Sequence, residues 1–511
     1  MKRKIKSLGV LGLALMLCMM GCQKEQEQPV VEETPEIIVE EVTEPEEVTD
    51  ETAEVLPPSI HVDTYNKTYY FEDGENAYLY LRYCDVIVDG DEYGKLKRNV
   101  ENWSMERSEG LRSLYTTFEE SADAVTEGGG EFYGYSLYQT VTVARADEAI
   151  VSLMDDTLQS VDRDDVLFFR DGINFDAVSG KRLKLSDLFY DYAAFTEDAK
   201  ERIVYELRET YGEELFEHYI TVIEENWQDA AEPEWYMDAS SIVIVLQENT
   251  VGPQTMGTPE IHLPYAEFAP YMKEEYFPGT WKGVASFKQN QEIFLTLPGI
   301  EEEVPMMLVS ELQDDEMYHS LWLGQNELPL ESYLMLEDAF IVRTDQDVYC
   351  LLEADMGSDD YVTYIYRVTN GVLEKEGEVF AAIDSGNINP HAIKMESWVF
   401  VLGTYGGVKN YHFDENGHFI TEDTEYLLEK NEFVLTTTVD LPVMIEEAES
   451  ILPAGSLIIL NATDGETYVK FTIQETGQKG TLEIQKEAGN YYYSINGMNE
   501  SDCFEILPYA G

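Results

Sequence analysis

Carboxylates dominate this 511-residue chain: 101 Asp and Glu face 33 Lys and Arg, a formal net charge of -68. A surface of that sign repels itself in any compact state, so a fold must be held by extensive apolar burial. The composition permits it. Hydrophobic residues make up 44% and aromatic residues 12%, which supports sizeable cores and excludes disorder throughout. At about 150 residues per domain, three or four domains are expected. The charge excludes nucleic acid, whose phosphates need Lys and Arg, and anionic lipid headgroups as a direct partner. It favours cationic partners, bound cations or plain solubility.

The N-terminus bears on location. Lys2, Arg3, Lys4 and Lys6 precede an apolar run from Leu8 to Met20. A run of about 13 residues is too short to span a bilayer of ~30 Å as a helix, and reads as a signal segment. It ends in Met19-Met20-Gly21-Cys22, which is similar to a bacterial lipobox with Met in place of the usual Leu at position 19. The resemblance implies acylation of Cys22 and a lipid-anchored protein on the extracytoplasmic face of the cell membrane. Residues 1–22 are therefore expected to be a lipoprotein signal peptide. Residues 23–58 carry 13 acidic side chains and one Lys among Pro, Thr and Val. Such a segment repels itself and buries little, so a disordered acidic tether is expected.

Beyond Cys18 and Cys22, only Cys84, Cys350 and Cys503 remain. An odd, scattered set without CxxC is no disulfide framework, and buried apolar thiols are expected.

The folded part begins near Ile60. Tyr78 to Val88 alternates as a strand, and residues 93–120 place Leu96, Val100, Trp103, Leu111 and Phe118 at helical spacing. Phe132 to Ala144 and Ala149 to Met154 read as strands. Arg170-Asp171-Gly172 lies between two apolar runs and predicts a hairpin turn. Lys184 to Phe189 predicts a Ser-capped helical turn at Ser186. Residues 196–228 predict a helix pair capped by Thr196 and broken at Gly212. Ile242 to Gln247 and Glu260 to Leu263 follow as strands. No βαβ rhythm is visible, so an α+β region with antiparallel sheets and amphipathic helices is expected.

Three segments here carry a resemblance: Ile173 to Phe189, the helix pair, and Ile242 to Met272. Phe175, Gly180, Lys181, Leu185, Asp187, Leu188, Phe189, Gly257, Ile261, Leu263, Pro264 and Tyr265 match the pattern of the RsiV-like domain, a domain of unknown function (family 3298). The central strand wording, residues 244–257, departs from that pattern. Residues 60–160 resemble, more weakly, the segment beside PdaC-type peptidoglycan deacetylases. The RsiV-like domain is then placed at 161–282. The resemblance implies extracytoplasmic sensing or binding rather than catalysis, and in the anti-sigma members this domain binds lysozyme, a basic protein. Only about seven residues precede the apolar run, so an anti-sigma arrangement is not expected.

Residues 283–445 read as all-β, a meander, sandwich or partial propeller: apolar strands recur every 8–12 residues or so between Asp-, Gly- and Asn-containing turns. Residues 446–511 hold short strands with tight turns and resemble a small SH3-like barrel.

The seven His form no HExxH. His412 and His418 flank Phe413 to Gly417, read as a hairpin turn. That segment and Asp85 to Asp91 open like calcium loops but lack the remaining ligands. There is no P-loop, GxSxG or GxGxxG after a strand, and the paired-His pattern of a wall deacetylase is missing. Trp227, Trp235 and Tyr236 are the candidate ligand-binding residues, as an aromatic sugar platform, although core packing is the simpler account of them.

The expectation is a non-catalytic, lipid-anchored cell-envelope protein with no cofactor and no metal. Its partners would be the membrane through its lipid and a basic, lysozyme-like protein or a cell-wall polymer. The alternatives are a wall-glycan enzyme with an unrecognised carboxylate site and a passive structural module.

Overall fold

The computed structural model describes residues 57–509, except 72–75, 91, 128–131, 161–165, 228–231, 277–281, 298–299, 301–302, 314–315, 331–334, 345–346, 358–359, 385–388, 430 and 487–491. Cys22 and the tether lie outside the described residues, save Pro57 and Pro58. Both are buried, and the Pro57 carbonyl accepts a hydrogen bond from Asn389 (3.4 Å). No helix among the described residues is long and apolar enough to cross a membrane.

Five strands open the fold: β1 (Ser59–Tyr70), β2 (Ala77–Asp89), β3 (Tyr135–Asp147), β4 (Ile150–Ser160) and β5 (Val166–Asp176). β6 (Glu234–Met237), β7 (Ser241–Val245) and β8 (Glu260–Pro264) form a separate three-stranded sheet. Then come β9 (Gly283–Phe287), β10 (Glu292–Leu295), β11 (Val304–Gln313), β12 (Glu316–Leu323), β13 (Asn326–Pro329), β14 (Met335–Arg343), β15 (Val348–Asp355), β16 (Tyr361–Thr369) and β17 (Val372–Val379). The longer helices are α1 (Gly94–Ser113), α2 (Tyr115–Glu127), α3 (Tyr192–Tyr211) and α4 (Tyr219–Glu225).

A ten-stranded sheet runs β1-β2-β3-β9-β14-β15-β16-β17, with β4 and β5 continuing from the other edge of β3. All its pairings are antiparallel except β2 with β3. That parallel pair is bridged by α1 and α2, because parallel neighbours need a long crossover. One βαβ unit therefore exists where the sequence suggested none.

Strand alternation explains the layering. Val143, Leu153 and Phe175 face α1 through Leu96 and Val100. Ala144 and Met154 point the other way, onto Tyr236, Val243 and Val245. Ile242 and Ile244 of β7 then face Phe195, Ile203 and Leu207 of α3. The order is helix, sheet, small sheet, helix, and β7 is buried along its whole length because both its faces are covered. Further along, β14–β17 form a meander that packs on the four-stranded sheet β10–β13 as a sandwich.

Several local expectations are corrected. Arg170-Asp171-Gly172 does not turn: β5 runs straight through, pairing Asp171 with Asp155 and Gly172 with Met154. The 3-10 turn Leu185–Leu188 is not capped by Ser186. The Asp187 carboxylate takes the Lys184 N–H (2.9 Å), and Ser186 donates to Glu232 (2.8 Å). The cap of α3 is Asp191, accepting from Ala194 N–H (3.0 Å), while Thr196 lies inside the helix and donates to the Tyr192 carbonyl. Gly212 ends α3 with a φ of 51°, as expected.

Strands between Ala382 and Glu483 form an eleven-stranded sheet in open order. Among the described residues no SH3-like barrel closes at 446–511. Leu457–Thr463 pairs with Tyr426–Leu427 and Val434–Thr436, so its edge is taken up by the preceding strands. The Asp414 segment is a hairpin turn, with the Asp414 side chain accepting from Asn416 and His418 N–H. Cys84, Cys350 and Cys503 are free and buried.

Candidate functional site

Where β4 and β5 meet α1 and the small sheet, charged groups gather in an otherwise apolar fold. Asp155 is buried on β4. Its carboxylate accepts from Arg107 Nε of α1 (2.7 Å) and from Gln139 Nε2 of β3 (2.9 Å). Arg107 also donates to Thr157 (3.0 Å) and lies 3.7 Å from Asp171 Oδ2. Asp171 sits across from Asp155 in the ladder. Burial, with Glu234 and Asp155 close by, pushes its carboxyl up to about 7 against the opposing pull of Arg107 and Arg182. Desolvation raises Glu234 as well. The edge of β5 thus presents one carboxyl, Asp171, raised towards neutrality, with the Glu234 carboxyl raised as well, a common mark of functional sites and also of structural ion networks.

A second cluster locks the layers together. Arg170 of β5 grips Asp156 through Nε (2.7 Å) and Nη2 (2.5 Å), and reaches Glu260 of β8 through Nη1 (2.6 Å). Glu260 also accepts from Tyr236 (2.9 Å) and from Lys288. Although burial opposes it, these cations hold the Glu260 carboxyl down at about 2. Deeper still, Arg145 donates to Asp147 (2.6 Å) and to Tyr265 (3.4 Å), and Tyr265 donates to the Asp238 carbonyl (2.8 Å).

Trp235 and Tyr236 are neighbours on β6 and so face opposite ways. Trp235 is buried towards α3, Tyr236 towards the large sheet. Trp227 is half-buried, its ring 6.5 Å from Tyr192 and 5.9 Å from Phe195. The three share no surface. Among the described residues no group of three or more His, Cys, Asp or Glu is placed to hold a metal ion. Asp171 is hidden in the sequence because Asp-Gly between two apolar runs signals a turn. The uninterrupted run of β-forming residues on both sides was the only hint otherwise.

These elements define a mainly antiparallel β protein with a small α+β module seated on its large sheet. Within that module, residues 186–266 match the family described as "Protein of unknown function (DUF3298)", and this stretch is a DUF3298 domain. No curated protein matches the chain. Two crystal structures are similar to part of it. One is a DUF3298 family member from Bacteroides fragilis, 14% identical, covering 43% of this chain and 94% of its own, with a TM-score of 0.33. The other is a DUF3298 family protein from Pseudomonas aeruginosa, 17% identical, covering 44% and 97%, with a TM-score of 0.31.

Proposed function

We propose that this is a non-catalytic, lipid-anchored cell-envelope protein whose folded part binds a cationic protein or wall component. In this reading Cys22 carries the lipid, residues 23–58 are the tether, the DUF3298 domain is of the RsiV-like kind, and residues 60–160 are the PdaC-type segment before it. The observation that supports it is the engagement of the basic side chains. Arg107, Arg145, Arg170, Arg202, Arg367, Lys288, Lys394 and Lys470 each pair with a carboxylate of this chain. With 101 acids to 33 bases, about two carboxylates in three have no basic residue to match them. The outward field is anionic, which draws in a basic partner and fades with salt.

The test is binding of the full chain to lysozyme and to purified cell wall across a salt series. Binding at low salt that weakens as salt rises supports the reading; none to either at low salt sinks it. Cys22→Ala should move the protein out of the membrane fraction.

The Asp171 and Glu234 pair favours a second reading, a glycan-cleaving enzyme. Turnover of peptidoglycan abolished by Asp171→Asn with the fold intact would replace the first reading.

A further inference from the structure

Far along the chain from the charged junction, a cleft of about 650 Å³ opens between the large sheet and the eleven-stranded one. One wall is the strand Ile393–Phe400, on which Glu396, Trp398 and Phe400 fall at alternate positions and share a face. Opposite Trp398 in the register stands Gly406, which places no side chain over the indole. A Cβ there would lie 2.3 Å from Glu396 Oε1. Met356, Tyr361 and Phe380 also line it. Phe380 is 70% exposed, Phe400 53% and Trp398 46%. So much aromatic surface in one concave place is a mark of a binding site.

The charges around it narrow the occupant. Asp360 and Glu396 are the charged residues of the lining, both acidic. Aromatic faces attract cations, and nearby carboxylates add to that attraction. An anionic polymer would be repelled. A long apolar stem ending in a positive charge satisfies rings and carboxylates together, as Lys and Arg side chains do.

We propose that this cleft docks an extended segment of a basic protein in which Lys or Arg alternates with apolar residues. Alternate side chains of such a segment recur every ~6–7 Å, the same spacing as Glu396, Trp398 and Phe400 along their strand. The inference rests on the cationic-partner reading above and places the contact outside residues 186–266.

Calorimetry on the full chain tests it with two synthetic peptides of equal length and charge, one alternating Lys and Leu, the other Lys and Gly. The Lys–Leu peptide should bind one to one, and Trp398→Ala should weaken it about tenfold or more. Trp398→Tyr should restore part of the loss. The Lys–Gly peptide presents the same Lys face on a floppier backbone, so it should bind less tightly and respond to both substitutions in the same order. Trp398 is half-exposed, so an unchanged urea midpoint certifies the fold of the variants. No Lys–Leu binding, or equal binding to wild type and Trp398→Ala, overturns the cleft assignment; salt-sensitive lysozyme binding would then leave the broader charge reading standing. Binding of a chito-oligosaccharide that Trp398→Ala abolishes, with the peptide unaffected, overturns it too.

Discussion

Gly172 lies directly against the backbone of Trp235: a Cβ on it would sit 1.7 Å from the Trp235 carbonyl oxygen. This contact lets β6 ride close over β5, and Asn174 fixes the same carbonyl with a hydrogen bond of 2.8 Å. Gly172→Ala should push the small sheet off the large one and cost about 2–4 kcal/mol. Urea unfolding measures it. A wild-type midpoint would mean that the close approach is dispensable.

Glu260 should stabilise the fold in a defined pH window. Its carboxyl is held at about 2, below the ordinary 4.5. A depressed carboxyl contributes fully above its unfolded value, and the contribution is lost as pH falls through the folded one. The stability gap between wild type and Glu260→Gln should therefore be wide at pH 6 and close between about pH 4.5 and 2. Urea midpoints at several pH values report it, and a gap independent of pH would refute the linkage.

Asp171 should act in the opposite sense. Its folded value of about 7 lies above the ordinary 3.8, so the folded state favours the proton. That stabilisation is complete below about pH 4 and is lost as pH rises through 7. Relative to wild type, Asp171→Asn should gain about 4 kcal/mol between pH 4 and pH 8. A difference that stays flat over that range would show that Arg107 compensates the charge fully.

Asp147→Ala should be among the most damaging single changes. It strips the carboxylate from Arg145, a fully buried guanidinium, and releases the N–H groups of Ala149 and Ile150 that donate to the same carboxylate. Leaving a buried charge unpaired costs about 3–5 kcal/mol. The double variant Arg145→Met/Asp147→Leu should recover part of the loss in thermal unfolding; equal damage would point to the turn rather than the charge.

Residues whose neighbours are local in sequence were legible: the α1 stripe of Leu96, Val100 and Leu111, the break at Gly212, the turn at Asp414. So was the DUF3298 stretch, through Leu185, Asp187 and Pro264-Tyr265. What failed depended on distant partners. Gly172 looks like a turn glycine until Trp235 is laid over it. Ser186 looks like a cap until Glu232 claims its hydroxyl. The Arg170 and Glu260 pair spans 90 residues, and no local pattern joins them. Trp235 and Tyr236 illustrate the reverse case, where adjacency suggested a shared surface and strand alternation separated them.

β3 bonds to β9 through three residues only, Arg145 to Asp147 against Gly283 to Ala285. Closing a loop of about 140 residues carries a large chain-entropy penalty that three rungs alone do little to offset. The hairpins of β3, β4 and β5 pair through neighbouring stretches of chain and need no such long closure. Joining the two halves of the large sheet then becomes the late, slow event of folding, a rate set by topology rather than by the strength of either half.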